Sequence, residues 1–179
     1  PEDYLLFVGQ VIRHKRVEVA IEAALLAGRP LKIVGDGPDL ERLRERHRDD
    51  PIEFLGRVDD QRLADLYARC LALVVPNVEE FGIAAVEAQA AGRPVVAVNR
   101  GGVRETVVDG LSGVLVDGES AAELAAPLRE RDFDDFDPAA IRANAERFGA
   151  AAFRTNFKAL VERYEDEWKA SKDEWKARA

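Results

Sequence analysis

The chain has 179 residues, of which 47% are hydrophobic and 34% are charged, and it carries a net charge of −8 at pH 7. This is the composition of a globular protein with one well-buried core or two small ones. The acidic balance argues against nucleic acid or an anionic membrane as a general partner, because no basic stripe offsets it. A single cysteine, Cys70, excludes an internal disulfide, and its place between a helical pattern and an apolar run favours a small core residue.

Six short apolar runs recur along the chain and are rich in β-branched residues. They are YLLFVG (4–9), LKIVG (31–35), IEFLG (52–56), LALVVP (71–76), VVAV (95–98) and GVLV (113–116). They are apolar on both faces, which is typical of parallel strands covered by helices on each side. They are far shorter than the about 20 residues that cross a bilayer, and nothing resembles a signal peptide, so we expect a cytoplasmic location.

Helical patterns lie between these runs. Residues 17–27 and 60–70 each carry an apolar stripe with helical spacing, and Ser120 and Glu123 have the spacing of a capping box. Six strands that alternate with helices predict an α/β fold over residues 1–150, a Rossmann-like doubly wound parallel sheet of about six strands.

The end of the chain, residues 151–179, predicts a helical extension. The sequence DEWKA occurs twice there, so Trp168 and Trp175 should fall on nearly one face of a helix. That face also includes Phe157, Leu160 and Tyr164. Two interpretations stay open: the helix packs on its own domain, or its aromatic face binds another domain or a second copy of the chain.

The usual nucleotide and metal motifs are absent from the sequence. VGDGPDL (34–40) begins like a dinucleotide fingerprint, but Leu40 stands where the third glycine belongs and Pro38 restricts the turn. No phosphate-binding loop motif occurs, and the two histidines, His14 and His47, lack the spacing of metal ligands. We therefore expect neither a nicotinamide cofactor nor a metal.

The segment EEFGIAAVE (79–87) follows the fourth apolar run and reads as a strand end followed by a helix start. Gly82 allows close approach of a ligand, and the amides of Phe81, Gly82 and Ile83 should point out of the helix N-terminus. Since the helix dipole favours negative charge at that end, an anion site is predicted without any basic residue.

Glu87 lies further along the same helix, among alanines and other small or apolar residues. We expect it to be partly buried, and a buried carboxylate needs donors such as the two hydroxyls of a ribose. The alternative is an ordinary surface glutamate on an alanine-rich helix.

These segments also resemble a known family. The blocks in question are FVGQVIRHKRVEVAIEA, IVGDGP, FLGRVDD and PNVEEFGIAAVEAQAAGRPVVAVNRGGVRETVVDGLSGVLV. In this order they are similar to the nucleotide-sugar-binding, C-terminal half of retaining glycosyltransferases with the two-domain GT-B fold (group 1, family-four-like). HKRV, VEAQAAGRPV and GGVRETV most resemble the mannosyltransferase branch, which builds lipid-linked or surface polysaccharides at the inner face of the membrane. This branch implies GDP-mannose as the donor and transfer that needs no metal.

The resemblance implies a role for each site residue. Glu79 is similar to the family glutamate close to the transferred sugar, and Lys15 to the lysine that neutralises the departing diphosphate. Glu87 would bind the ribose, and the loop at residues 81–83, which contains Phe81, Gly82 and Ile83, would hold the phosphates. The remaining donor-binding positions that the resemblance implies are Gly9, Gln10, Val58 and Asp60.

Two features depart from the family pattern. Gln10 stands where the family usually has an arginine, so one positive charge near the diphosphate is missing, and Arg13 and Arg16 are the nearby candidates to replace it. The domain that binds the glycan or lipid-linked acceptor normally precedes these blocks, so we expect the chain to be a donor-binding half. A catalytically inactive binding or scaffold module stays open as an alternative, as does another GT-B-fold enzyme such as a sugar-nucleotide epimerase.

Overall fold

Strands and helices alternate along most of the chain. The structure is a computed structural model that describes the backbone of residues 2–178 and the side chains of residues 2–169. The strands are β1 (Leu5–Val8), β2 (Leu31–Val34), β3 (Ile52–Gly56), β4 (Ala72–Val75), β5 (Val95–Val98) and β6 (Gly113–Val116). The helices are α1 (Val17–Ala27), α2 (Leu40–Arg46), α3 (Asp60–Arg69), α4 (Ile83–Ala90), α5 (Val103–Thr106), α6 (Ala121–Glu130), α7 (Pro138–Glu146) and α8 (Ala150–Arg178).

The six strands form one sheet in the order β3-β2-β1-β4-β5-β6, and every neighbouring pair is parallel. This confirms the predicted Rossmann-like doubly wound sheet, with each strand inside or close to its predicted range. The strand order reverses between β1 and β4. In such sheets a crevice opens beyond the carboxyl ends of the strands at that switch point, and ligands bind there.

The core lies on both faces of the sheet, as the apolar strands predict. Leu5 and Phe7 belong to one buried cluster, which α1 and α6 cover, whereas Leu6 belongs to the other, which α3 and α4 cover. Successive side chains of a strand point to opposite faces, so a strand covered on both sides must be apolar throughout. Cys70 is fully buried in the second cluster, which confirms it as a core residue.

The helix ends match their sequence signals. Asp59 caps α3 by accepting a hydrogen bond from the amide of Arg62 at 2.8 Å. Ser120 and Glu123 form the predicted capping box at the start of α6. Gly28 ends α1 with a φ of 68°, a left-handed conformation that a glycine adopts without strain.

The chain divides into two compact units, Pro1–Ala145 and Glu146–Ala179. The second unit consists mainly of α8. Along α8 one apolar surface is formed by Phe157, Leu160, Val161, Tyr164 and Trp168, as the spacing predicts. The side chain of Trp175 lies outside the described residues, and what this surface binds stays a prediction. In the described part of the chain, no helix combines the length and the apolar character that a membrane span requires.

Candidate functional site

A pocket of about 490 Å³ opens at the carboxyl ends of β1 and β4, at the switch point of the sheet. Three segments form its walls: the 3₁₀ turn Arg13–Lys15 after β1, the loop between β4 and α4, and the first turn of α4. The predicted residues that line it are Lys15, Glu79, Phe81, Gly82 and Ile83. The fold therefore brings together two segments that are far apart in the sequence.

Lys15 and Glu79 face each other directly in this pocket. The Lys15 Nζ lies 2.8 Å from both carboxylate oxygens of Glu79. The two side chains are 23% and 24% exposed, so the ion pair is only partly screened by water. The pocket therefore holds a cation and a carboxylate next to each other, and a charged ligand that binds there would compete with this ion pair.

Asn77 donates a hydrogen bond to Glu79, and the sequence did not predict this residue as part of the site. Its amide nitrogen donates to Glu79 Oε1 at 3.0 Å and to the Val78 carbonyl at 3.2 Å. Asn77 is only 2% exposed, and a buried amide without partners would be costly. The one sequence signal was a polar residue directly after a buried strand, where the chain enters the ligand-binding edge of the sheet.

The first turn of α4 forms the opposite wall of the pocket. Gly82 is its N-cap, with a φ of 86° that strains any residue with a side chain. The first backbone hydrogen bond of the helix is donated by Ala85 to the Gly82 carbonyl at 3.0 Å. The amides that come before it, at Gly82 and Ile83, therefore belong to the part of the helix that attracts anions. Whether an anion binds at this end of the helix stays a prediction.

A pair of glycines braces the loop that carries Glu79. The Gly102 amide donates to the Glu79 carbonyl at 2.7 Å. A side chain at Gly101 would overlap that same carbonyl oxygen, and one at Gly102 would overlap the carbonyl of Glu80. The sequence GGVRET is therefore needed for close backbone contact, and the Thr106 hydroxyl adds a hydrogen bond to the Gly102 carbonyl at 3.3 Å.

A second, shallower opening of about 280 Å³ adjoins the pocket and is lined by Gly9, Gln10 and Val58. Val8 lines both openings. Gly35 must be a glycine because a side chain there would overlap the Gly9 carbonyl oxygen, which explains the glycine-rich segment without a dinucleotide site. The predicted Asp60 is the exposed first residue of α3 and is not among the residues that line this opening.

Glu87 differs from expectation in its burial. It is exposed, not partly buried, because the buried face of α4 consists of Ala85, Ala88 and Gln89, and Glu87 lies on another side. One of its oxygens accepts a hydrogen bond from the Tyr67 hydroxyl at 2.9 Å. Burial, followed by the charge and hydrogen bond of Glu87, raises the pKa of Tyr67, so this phenol stays a donor.

Comparison with known proteins identifies the family. The chain matches the family described as "Glycosyl transferases group 1" over residues 1–147. The chain belongs to this family. This confirms the group 1 resemblance read from the sequence.

Several curated glycosyl transferases are similar to this domain. It is 40% identical over 144 residues to a D-inositol 3-phosphate glycosyltransferase of Geodermatophilus obscurus, covering 70% of this chain and 32% of that protein. The corresponding enzyme of Streptomyces avermitilis is 38% identical over 176 residues, with 86% and 36% covered. A glycogen synthase of Mycobacterium tuberculosis is 37% identical over 153 residues, with 80% and 37% covered. The chain thus spans about a third of the length of the curated relatives it matches.

Two solved structures share the fold of this domain. Anabaena HepE in complex with UDP and glucose is 25% identical with a TM-score of 0.74, covering 90% of this chain and 48% of that one. Sucrose-phosphate synthase from Thermosynechococcus elongatus is 26% identical with a TM-score of 0.73, covering 93% and 46%.

Gln10 carries no positive charge, and neither nearby arginine of this glycosyl transferase domain supplies one to the pocket. Arg13 is exposed and lines a separate depression with Asp39 and Arg42. Arg16 is bound to Glu119. Among the residues that line the pocket, Lys15 is therefore the one lysine or arginine. Among the described residues, no group of three or more His, Cys, Asp and Glu side chains could hold a metal ion.

Proposed function

We propose that this chain is the donor-binding domain of a retaining glycosyltransferase that takes a nucleoside diphosphate sugar. The observation that carries the proposal is the contact between the Lys15 ammonium and the Glu79 carboxylate, beside the N-terminus of α4 at the switch point. A diphosphate needs a cation and backbone donors, and a sugar needs a carboxylate that accepts from its hydroxyls. All three kinds of group line this single pocket.

Each residue has a role in the proposal. Lys15 and the backbone of residues 81–83 bind the diphosphate, Glu79 lies against the transferred sugar, and Glu87 accepts from the ribose. The exposure of Glu87 favours this last role, because a ribose must reach its carboxylate. The nucleobase occupies the second opening, beside Gly9, Gln10, Val58 and Asp60. Residues 1–150 are the nucleotide-sugar-binding part in this proposal, and residues 151–179 are a C-terminal helical extension.

Two donors are candidates. The sequence resemblance favours GDP-mannose. The solved relatives favour a uridine donor instead, since the HepE structures contain UDP and UDP-glucose at 25% identity. The curated relatives reported above are D-inositol 3-phosphate glycosyltransferases and a glycogen synthase, which does not support mannose. A UDP-hexose is therefore the first candidate, and GDP-mannose is the second.

The proposed reaction is transfer with retention of configuration and without a metal. The bond from the sugar C1 to the diphosphate breaks while the acceptor oxygen bonds to C1 from the same face. The departing diphosphate takes the acceptor proton, and Lys15 stabilises the negative charge that grows on it. The acceptor, a glycan or lipid-linked molecule, is bound by another part of a longer protein, which works in the cytoplasm or at the inner membrane face.

Titration calorimetry of the chain with UDP and GDP tests this proposal. We expect saturable binding of UDP, with GDP as the weaker ligand. Lys15→Ala should weaken UDP about tenfold or more, because a charge-assisted hydrogen bond contributes about 1.5–3 kcal/mol. Glu87→Ala should weaken UDP more than it weakens 2′-deoxy-UDP, because the deoxynucleotide lacks one of the two ribose hydroxyls that Glu87 would accept from. Glu45→Ala, at an exposed position of α2, is the matched control.

The outcomes separate the candidate functions. Tighter binding of GDP would restore the mannosyltransferase interpretation with the same site. If neither nucleotide binds, the chain is better described as the inactive scaffold module. If both bind but the Lys15 and Glu87 variants match wild type, the site assignment is wrong.

A further inference from the structure

Arg16 adopts a backbone conformation that non-glycine residues rarely have. Its φ is 53° and its ψ 39°, and among the described residues it is the one non-glycine with a positive φ. This left-handed conformation brings Cβ close to the following carbonyl oxygen and is strained for any L-residue other than glycine. Such strain persists only where surrounding contacts hold the residue in place, and it often marks a functional position.

Three hydrogen bonds hold the Arg16 side chain. One guanidinium nitrogen donates to the Pro76 carbonyl at 3.2 Å and to Glu119 Oε2 at 3.0 Å. The other donates to the Glu119 carbonyl at 2.6 Å. Arg16 follows β1 in the chain, Pro76 follows β4, and Glu119 follows β6, so one side chain ties together three loops at the ligand-binding edge of the sheet.

We call Arg16 with its three hydrogen bonds to Pro76 and Glu119 the clamp. Both residues of the ion pair, Lys15 and Glu79, are connected to it. Lys15 directly precedes Arg16 in the chain. Asn77, which holds Glu79, directly follows Pro76. The clamp therefore sets the separation between the turn that carries Lys15 and the loop that carries Glu79. Glu119 also pairs with Arg100 at 2.5 Å, which adds the loop after β5 to the same network.

We infer that Arg16 is a positioning residue, which holds Lys15 where the β-phosphate of the donor binds. The inference rests on the proposed function of the pocket. Arg16 does not act on the ligand itself, because it is absent from the pocket lining and its guanidinium group is bound to Glu119 and to the Pro76 carbonyl. A glycine would adopt this conformation without strain, so the contacts of the Arg16 side chain are what hold an arginine in it.

Calorimetric titration with UDP and UMP tests this role, because UMP lacks the phosphate that Lys15 would contact. Arg16→Gly removes the clamp and keeps the backbone conformation accessible. We expect about a tenfold loss of UDP affinity, since the charge-assisted contact of Lys15 is loosened, and less than about a twofold change for UMP. The melting temperature should change little, because the relief of strain offsets the lost hydrogen bonds.

Two further variants sharpen the test. Arg16→Lys keeps the charge but lacks the planar fork that reaches two acceptors, so it should show a similar selective loss for UDP. Arg13→Gly, in the same turn, removes an equal charge at an exposed position and serves as the matched control.

Each outcome bears on one conclusion. A parallel loss of UDP and UMP affinity in the Arg16 variants would mean a general structural role, and unchanged affinity for both would mean no role; either result overturns the inference while the proposed function stands. If the wild-type chain binds no nucleotide, the proposed function fails and the inference fails with it.

Discussion

Replacing Glu79 by glutamine should strengthen the binding of two ligands, UDP and UDP-glucose, to different extents. In the unliganded structure the Lys15 ammonium is held by both Glu79 oxygens at 2.8 Å, so a diphosphate must compete with this carboxylate for the same cation. Glutamine has nearly the same shape, and its carbonyl oxygen can still accept from Asn77. The substitution therefore removes the charge and leaves the loop in place.

The size of the effect follows from the exposure of the pair. Exposed ion pairs contribute about 0.2–1 kcal/mol, and with side chains 23% and 24% exposed this pair should lie near the upper end. Release of about 1 kcal/mol corresponds to about a fivefold gain in UDP affinity. UDP-glucose should gain less than UDP, because the sugar hydroxyls lose a charged acceptor.

Calorimetry with UDP and UDP-glucose measures both effects. Glu80→Gln is the control, because it removes the same charge from the neighbouring, exposed carboxylate and thus reports the general electrostatic effect on an anionic ligand. If Glu79→Gln binds UDP no more tightly than Glu80→Gln does, the Lys15–Glu79 contact does not compete with the diphosphate, and this reasoning is refuted.

Four further predictions concern the stability and packing of the domain. Gly101→Ala puts a methyl group against a carbonyl oxygen at a φ of 68°, so urea unfolding should show a loss of about 2–4 kcal/mol. The buried Asn144 amide donates to Gln89 Oε1 and to the Thr106 carbonyl, so Asn144→Ala removes the donor of both. It should lower the free energy of unfolding by about 2–3 kcal/mol in the same assay. Ser120→Ala should lower the melting temperature by about 2–4 °C at neutral pH. Hydrogen bonds from Ser120 lower the pKa of Glu123, so this stabilisation is present above the ordinary carboxyl pKa and is lost as the pH falls through the folded value; melts of wild type and variant should therefore converge in acid. Burial raises the pKa of Cys70 to about 12, so thiol reagents should modify it at pH 8 only after unfolding.

Local sequence signals predicted the elements of this fold well. The six strands could be located because parallel strands covered on both faces are apolar throughout. Helix ends could be located because Asp59, Ser120 and Gly28 act on amides and carbonyls only a few residues away. The predicted residues that line the pocket came from the segment at 79–83 and, for Lys15, from the family resemblance.

What local signals could not supply is the partner of each polar group. The burial of Glu87 was mispredicted, because its alanine-rich neighbours suggested a buried helix but not which side of α4 faces the sheet. Asn77 was missed because its role depends on the distance to Glu79 after folding.

The sequence alone therefore determined the fold class, the family and the two segments of the site, since these depend on short-range periodicity and on residue identity. Only the tertiary structure decided that Lys15 and Glu79 form an ion pair across 64 positions of sequence, and that Arg16 ties three loops together behind them. The physical reason is that the parallel sheet gathers the carboxyl ends of distant strands at one edge, and distances across that edge are set by packing.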